Sequence, residues 1–225
     1  MEKLTGQCST VHGSGRTDSG VHALAQVACF DTLSEHPADV IKRALNAMLP
    51  SDLRVLSVEE VERKFHPRKS AVSKRYAYLI SNTQVLSPFA VRYSWHVTHE
   101  LDLRAMDEAA MRLVGEHDFS CFMASGSDVV RPVRNLRELN VLDRESVSFL
   151  GLPMRAPEGG RFVLIEAEGS GFLRHMVRNI AGTLVEVGKG AMDPGSMANI
   201  LESRDRALAG PTAPPQGLFM VSVDY

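Results

Sequence analysis

Residues 161–188 have the sequence RFVLIEAEGSGFLRHMVRNIAGTLVEVG, which contains two different hydrophobic periods. In the first part, Val163, Ile165 and Ala167 alternate along the chain, and this spacing predicts a strand over 161–168. In the last part, apolar residues recur at helical spacing, which predicts a helix over 174–188. The helix positions expected to face the core are Val177, Ile180, Leu184 and Val185.

The same two periods predict secondary structure in the rest of the chain. The stretch SAVSKRYAYLISN at 70–82 alternates with period two, so one face of the predicted strand combines basic and aromatic residues. The residues of this face are Val72, Lys74, Tyr76, Tyr78 and Ile80. Further strands are predicted over 24–31, 53–58, 135–143 and 218–225, and further helices over 37–49, over 102–114 and from Asp193 onward.

The order of these elements indicates the fold class. Strands and helices mix without a regular βαβ repeat, so we predict an α+β fold. The pattern partly recurs, which indicates two similar halves at residues 1–100 and 101–225. The chain has 225 residues, of which 44% are hydrophobic and 23% charged, as is ordinary for a soluble globular protein.

Cysteine and histidine spacing argues against several classes of protein. The three cysteines are far apart and form no CxxC, so neither a disulfide framework nor a zinc ribbon is predicted, and a reducing compartment fits best. No HExxH motif occurs, and we predict no metal site. No apolar run reaches the roughly 18 residues of a membrane span, and no signal peptide is visible.

The loop GSGRTDSG at 13–20 is the first candidate functional site. It does not fit a dinucleotide-binding loop, because Asp18 stands where the G-x-G-x-x-G fingerprint has its last glycine and would repel a pyrophosphate. Asp18 can instead act as a nucleophilic or acid–base carboxylate. Burial favours the neutral form of Asp18, and the positive charge of Arg16 would oppose this effect. A capped turn, with Asp18 bonded to backbone amides and Arg16 in solvent, accounts for the same residues.

Two further segments carry residues suited to binding a nucleic acid. Tyr76 follows a basic pair and can stack on a base, or its ring can lie in the core. Arg174 and Arg178 are four apart on the predicted helix and can form an anion clamp or a solvated face. The basic runs at 63–75 and 131–137 form an RNA-binding surface only if they converge, and the net charge of −2 does not decide this.

The motifs together resemble the TruA-type tRNA pseudouridine synthases. The loop GRTDSGVHA is similar to the GRTDAGVHA signature of that family, and the similarity continues in the family's order to the end of the chain. The other similar segments are LNAMLPSDLRV, FHPRKSAVSKRYAYLI, GEHDFSCF, GSGFLRHMVRNIAGTLVEVG and APPQGLFMVSVDY.

The resemblance implies a function and assigns roles to the candidate residues. It implies an isomerase that converts uridine to pseudouridine in tRNA, with Asp18 as the catalytic carboxylate. Arg16 would help to displace the target base, Tyr76 would contact it, and Arg178 would approach Asp18 from the late helix. No cofactor and no nucleotide are implied, and the family's members act as cytoplasmic homodimers on the anticodon stem-loop.

The resemblance also implies an architecture, from which this sequence departs at its start. The family has two ferredoxin-like halves in one continuous mixed or antiparallel sheet, with helices on one face and the active-site cleft between the halves. Ser19 replaces the family's usual alanine, and the N-terminal strand with its YDG and GWQ motifs is not found before Gly15. This departure indicates either a truncated sequence or a degenerate paralogue, and in the second case the alternative function is tRNA binding or folding with impaired catalysis.

Overall fold

The computed structural model of this chain describes residues 2, 6, 8–124, 126, 130–149 and 152–225. The chain divides into two compact units. The first comprises the chain up to Arg16 together with Gln26–Ala71, and the second comprises Thr17–Ala25 and Val72–Tyr225. The predicted division into halves at residues 1–100 and 101–225 stays a prediction.

The elements in chain order are β1 (His12–Gly13), β2 (His22–Ala23), β3 (Ala28–Cys29), α1 (Ala38–Met48), β4 (Ser73–Asn82), β5 (Trp95–Val97), α2 (Leu103–Met111), β6 (Gly115–Asp118), β7 (Val133–Arg144), β8 (Ser146–Phe149), β9 (Leu152–Arg155), β10 (Arg161–Gly169), α3 (Met176–Gly188), α4 (Ser196–Ser203) and β11 (Leu218–Asp224). The predicted α+β class is confirmed. None of the helices in the described residues is long and apolar enough to cross a membrane.

The first unit contains α1 and a short antiparallel pair of β1 and β3. The predicted helix over 37–49 is confirmed, since α1 begins directly after Pro37 and buries Ile41. The predicted strand over 53–58 is wrong, because its backbone hydrogen-bonds to the side chain of Asn46 and pairs with no strand among the described residues. The Asn46 amide donates to the Val55 carbonyl at 2.9 Å, and its oxygen accepts from the Val55 amide at 2.8 Å.

The second unit is built on a mixed sheet, in which seven strands of the described residues take part. The strand order is β2-β11-β4-β10-β7-β6, with β5 pairing along the far end of β4. β2 runs parallel to β11 and β5 parallel to β4, and the other pairs are antiparallel. The predicted strands at 70–82, 135–143, 161–168 and 218–225 are confirmed within three residues at each end. The strand predicted over 24–31 is reduced to β3.

Helices α2 and α3 pack against each other, and they contact β7 and β4 respectively. The Asp102 side chain caps α2 by accepting a hydrogen bond from the Ala105 amide at 3.0 Å. The main core of this unit is formed by fully buried side chains of the helices, the sheet and the 119–122 segment, among them Tyr78, Ile80, Met106, Leu113, Phe119, Phe122, Val163, Ile165, Ile180 and Leu184. The inward face predicted for α3 is thereby confirmed, since Val177, Ile180, Leu184 and Val185 are all buried.

β4 lies inside the sheet between β10 and β11, and its alternating pattern does not mark one exposed face. Tyr78 and Ile80 face the main core, while Leu79 packs with Phe162 and Ala90 in a second cluster. Apolar side chains of the two clusters therefore cover both faces of this part of the strand. The helix predicted from Asp193 begins later, at Ser196, because residues 193–195 first form a turn.

Candidate active site

Asp18 lies in a tight turn of the second unit, just before β2. Its carbonyl accepts a hydrogen bond from the Val21 amide at 3.0 Å, and Gly20 has a φ of +81°. A Cβ at Gly20 would lie 3.2 Å from Cγ of Pro215, so the turn requires glycine for its backbone conformation and for space. β2 then pairs with β11, and this pairing fixes the end of the turn on the sheet.

Two side chains from the start of α3 contact the Asp18 carboxylate. Arg178 Nη1 lies 3.0 Å from Asp18 Oδ2, and His175 Nε2 lies 3.1 Å from the same oxygen. Arg178 is 12% exposed and Asp18 is 31% exposed, so this is a largely desolvated ion pair that keeps some access to solvent. Within the described residues, no hydrogen bond or ion pair reaches the other oxygen, Oδ1.

The Arg178 side chain is held at its other end by the chain that precedes β11. Its Nε donates to the Ala213 carbonyl at 2.8 Å, while the Ala213 amide donates to the Arg178 carbonyl at 3.1 Å. Arg178 thus bridges Asp18 and this segment with two different nitrogens of one planar guanidinium. The rigid fork of arginine suits such a double contact.

This segment lies directly on the backbone of α3. A Cβ at Gly182 would be 1.7 Å from the Pro211 carbonyl oxygen, and a Cβ at Gly210 would be 2.7 Å from Cα of Thr183. Both glycines are therefore required by close approach of two backbones. The Gly210 amide donates to the Thr183 hydroxyl at 2.9 Å, which anchors the segment to the helix.

A buried amide completes the anchoring. Asn179 donates to the Phe122 carbonyl at 2.8 Å, and its oxygen accepts from the Thr212 hydroxyl at 2.6 Å and from Arg206 at 3.1 Å. Asn179 is fully buried, and every polar atom of its side chain is satisfied. The polar network therefore fixes the position of the carbonyl that holds Arg178.

Tyr76 lies on β4 beside Ala167 of β10 and Met220 of β11. Its ring packs edge-on against Phe172, with the ring centroids 5.0 Å apart and an interplanar angle of 75°. Burial, and secondly the negative charge of Asp18, raise the pKa of Tyr76 to about 12. The phenol is therefore protonated near neutral pH, and its hydroxyl is able to donate a hydrogen bond.

His175 is a site residue that the sequence analysis did not identify. It precedes α3 and has a left-handed backbone, with φ 63° and ψ 1°, which is uncommon for a residue other than glycine. Burial lowers the pKa of His175, the carboxylate of Asp18 raises it, and nearby arginines lower it further. His175 precedes the helix, so helical spacing relative to Arg178 gave no signal for it.

The other predicted site residues are placed as follows. Arg16 belongs to the first unit and is exposed, so its predicted pairing with Asp18 stays a prediction. Arg174 lies before the start of α3 and is exposed, which separates it from the face that carries Arg178. Of the two arginines, only Arg178 contacts Asp18 within the described residues, and the solvated alternative describes Arg174.

The basic runs are partly neutralised by one acidic residue. Arg75 forms an ion pair with Glu168, and Arg137 Nη1 lies 3.9 Å from the same carboxylate. Arg134 donates to the Arg131 carbonyl at 2.8 Å, and burial lowers its pKa. In the part of the chain that the structure describes, no group of three or more His, Cys, Asp or Glu side chains is arranged to hold a metal ion.

Comparisons with known proteins agree on one family. A family model described as tRNA pseudouridine synthase matches residues 1–68 and 109–225. A tRNA pseudouridine synthase A of Thermoanaerobacter sp. (strain X514) is 41% identical over 225 residues, covering 100% of this chain and 86% of the relative. The synthase A of Myxococcus xanthus is 43% identical over 227 residues, covering 100% and 80%. That of Geotalea uraniireducens is 43% identical over 225 residues, covering 100% and 86%.

Proposed function

The chain belongs to the tRNA pseudouridine synthase family, and from this premise we propose that it isomerises uridine to pseudouridine in tRNA with Asp18 as its catalytic carboxylate. The observation that carries the proposal is the contact of Asp18 with Arg178, in a site that also contains Tyr76. The family's early signature loop, its central strand and its late helix each contribute one of these residues.

The reaction makes specific demands on such a site. The bond between N1 of uracil and C1′ of the ribose breaks, the base turns, and a new bond forms between C5 and C1′. N1 gains a proton and C5 loses one, so there is no net oxidation. An ionised carboxylate can attack C1′ or assist the formation of a glycal, and both routes require that Asp18 stay charged in a partly dry pocket.

Arg178 places a positive charge against the Asp18 carboxylate. A guanidinium cannot lose its proton under ordinary conditions, so it provides a permanent positive charge 3.0 Å from Oδ2. The Ala213 carbonyl on its other side prevents the guanidinium from rotating freely toward solvent. Arg178 thereby offsets the cost of partly burying a carboxylate.

Tyr76 provides a surface for the detached base. Its ring is held by Phe172, and stacking of a base on such a ring is worth about 1–3 kcal/mol. With its pKa raised to about 12, the hydroxyl is a donor in the free protein and not a base near pH 7. Proton removal from C5 then needs either a shift of this pKa when the substrate binds or another acceptor.

The target uridine must leave the helical stack before Asp18 can reach C1′. Arg16 is exposed in the signature loop, two residues before Asp18, which suits a residue that fills the vacated space. The basic runs at 63–75 and 131–137 would contact phosphates, although Glu168 reduces the charge available at Arg75 and Arg137.

We further propose that the protein acts on the anticodon stem-loop and that it does so as a cytoplasmic homodimer.

The test is pseudouridine formation on an unmodified tRNA transcript. Asp18→Asn should lower the single-turnover rate by at least about a thousandfold while tRNA binding persists, because the amide cannot serve as a carboxylate nucleophile. Asp143→Asn is the matched control, since Asp143 lies on β7 and contacts only Arg161 by its side chain within the described residues. Its rate should equal that of the wild type.

Two results would contradict the proposal. Activity retained by Asp18→Asn would exclude the carboxylate as the catalytic group. A wild-type chain that binds tRNA without forming pseudouridine would favour the catalytically impaired RNA-binding paralogue. Chemical mapping of the product gives the modified position and tests the expected anticodon stem-loop.

A further inference from the structure

His175 combines an unfavourable backbone conformation with a contact to the proposed catalytic group. Among the described residues, only His175 and Arg204 have a positive φ without being glycine, at 63° and 56°. Such residues persist when the surrounding structure holds them in place, and they concentrate at functional sites. Arg204 ends α4 and forms an ion pair with Asp118, whereas His175 faces Asp18.

The contact of His175 is specific to one oxygen of the carboxylate. His175 Nε2 and Arg178 Nη1 lie 3.1 and 3.0 Å from Asp18 Oδ2. Two nitrogens that converge on one oxygen limit rotation of the carboxylate about its χ2 bond, which is otherwise broad for aspartate. No hydrogen bond or ion pair within the described residues reaches Oδ1, so that oxygen is available to a substrate.

We propose that His175 is a positioning residue, which together with Arg178 fixes Oδ2 of Asp18 so that Oδ1 is aimed at C1′ of the target nucleotide. The inference rests on the proposed function of Asp18. It requires the tautomer of His175 that carries its proton on Nε2. His175 does not itself touch the reacting atoms.

Burial and the nearby arginines together favour the neutral form of His175. The groups that act on it are the carboxylate of Asp18, which favours protonation, and the guanidinium groups of Arg174, Arg178 and Arg206, which oppose it. Burial is the largest influence and also opposes protonation, so the pKa of His175 is lowered. A neutral imidazole can orient Asp18 without adding a second full positive charge, which would reduce the nucleophilicity of the carboxylate.

Two substitutions separate the ring from the backbone. His175→Asn keeps a residue that tolerates the left-handed conformation and removes the imidazole. His175→Gly removes the ring and also relieves the backbone, so it should fold at least as well as the wild type. Arg204→Gly is the matched control, because it relieves the other positive φ far along the chain from the Asp18 contacts.

The readouts are the single-turnover rate at saturating enzyme, the Kd for tRNA and the Tm. Both His175 variants should lose about 10- to 100-fold in rate, as expected for one hydrogen bond to a charged group, with a Kd within about twofold of wild type. Arg204→Gly should keep the wild-type rate. In wild type, the rate should also fall in acid as the imidazolium forms, and His175→Asn should shift this fall to lower pH.

The result that overturns the inference is a wild-type rate in both His175 variants. A loss confined to Kd, with the rate constant unchanged, overturns it as well. These results leave the proposed function intact when Asp18→Asn remains inactive. An active Asp18→Asn variant instead refutes the proposed function, and the positioning role with it.

Discussion

The contact between Arg178 and Asp18 can be tested by replacing the arginine with lysine. In the structure, Nη1 contacts Asp18 Oδ2 at 3.0 Å and Nε donates to the Ala213 carbonyl at 2.8 Å. Lysine has one nitrogen at the end of a flexible chain, so it cannot make both contacts in this geometry. Arg178→Lys therefore keeps the charge and removes one of the two contacts.

The magnitude follows from the exposure of the two acceptors. Ala213 is 1% exposed, so its carbonyl is poorly hydrated if it loses its donor, at a cost of about 1–3 kcal/mol. Asp18 is 31% exposed, and water can replace part of what it loses. We expect the lysine to keep a hydrogen bond to the Ala213 carbonyl and to lose the contact with the Asp18 carboxylate. A charge-assisted hydrogen bond of about 1.5–3 kcal/mol is then missing from the site, or roughly 10- to 150-fold in rate.

The assay is single-turnover pseudouridine formation by wild type, Arg178→Lys and Arg178→Ala, with Tm measured in parallel. The alanine variant loses both contacts and the charge, so its rate should be lower than that of the lysine variant. It should also lose roughly 2–8 °C in Tm if about 1–2 kcal/mol of stability is lost. Arg112→Lys is the matched control, since Arg112 forms an exposed ion pair with Glu108 at the end of α2.

A lysine variant with the wild-type rate would refute the reasoning, because charge alone would then suffice at this position. Equal rates for the lysine and alanine variants would show that the planar fork is the only important property. A fall in Tm without a fall in rate would assign Arg178 a structural role.

The remaining predictions concern the support of the site. Gly182→Ala should lower the Tm by roughly 4–10 °C, because the new Cβ would lie 1.7 Å from the Pro211 carbonyl oxygen. Gly171→Ala is the control and should change the Tm little, because the nearest atom to its new Cβ is 3.8 Å away. Thr183→Ala should cost about 1–3 kcal/mol in urea denaturation by leaving the buried Gly210 amide without its acceptor, and Thr183→Ser should restore most of it. Tyr76→Phe should reduce the loss of stability in alkali. The folded state keeps a phenol with a pKa of about 12 protonated while the unfolded state ionises near pH 10, so up to about 2 kcal/mol is lost between pH 10 and 12. An unchanged alkaline slope in the phenylalanine variant would contradict this assignment.

Several elements were predictable from the sequence because their determinants are local. The apolar spacing of 174–188 predicted α3 to within two residues, and the alternation of 161–168 predicted β10 to within one. The strand predicted over 53–58 failed, because alternation alone does not tell whether a partner strand is present. Asn46 satisfies the backbone there, and this contact joins residues nine apart.

The candidate site was predictable only in part. The loop containing Asp18 was recognisable from its glycines and from the resemblance to a family, and Tyr76 and Arg178 were identified with it. His175 was missed, because its importance depends on a left-handed backbone at the helix start and on a contact with a residue far away in the chain. The sequence left a clamp or a solvated face open for Arg174 and Arg178, and the structure separates the two because the helix begins two residues after Arg174.

The α+β class, the main helices and strands of the sheet-containing unit, and the family of the chain follow from residues that are close together in the sequence. Which side chains meet depends on the tertiary structure. Asp18 and Arg178 are 160 residues apart, and they come together because β2 pairs with β11 while α3 packs on β4 of the same sheet. The hydrophobic period depends only on residues that are close together in the sequence, so it predicts single helices and strands. The register of strands and the close approach of α3 to the 209–215 segment depend on contacts from the whole unit.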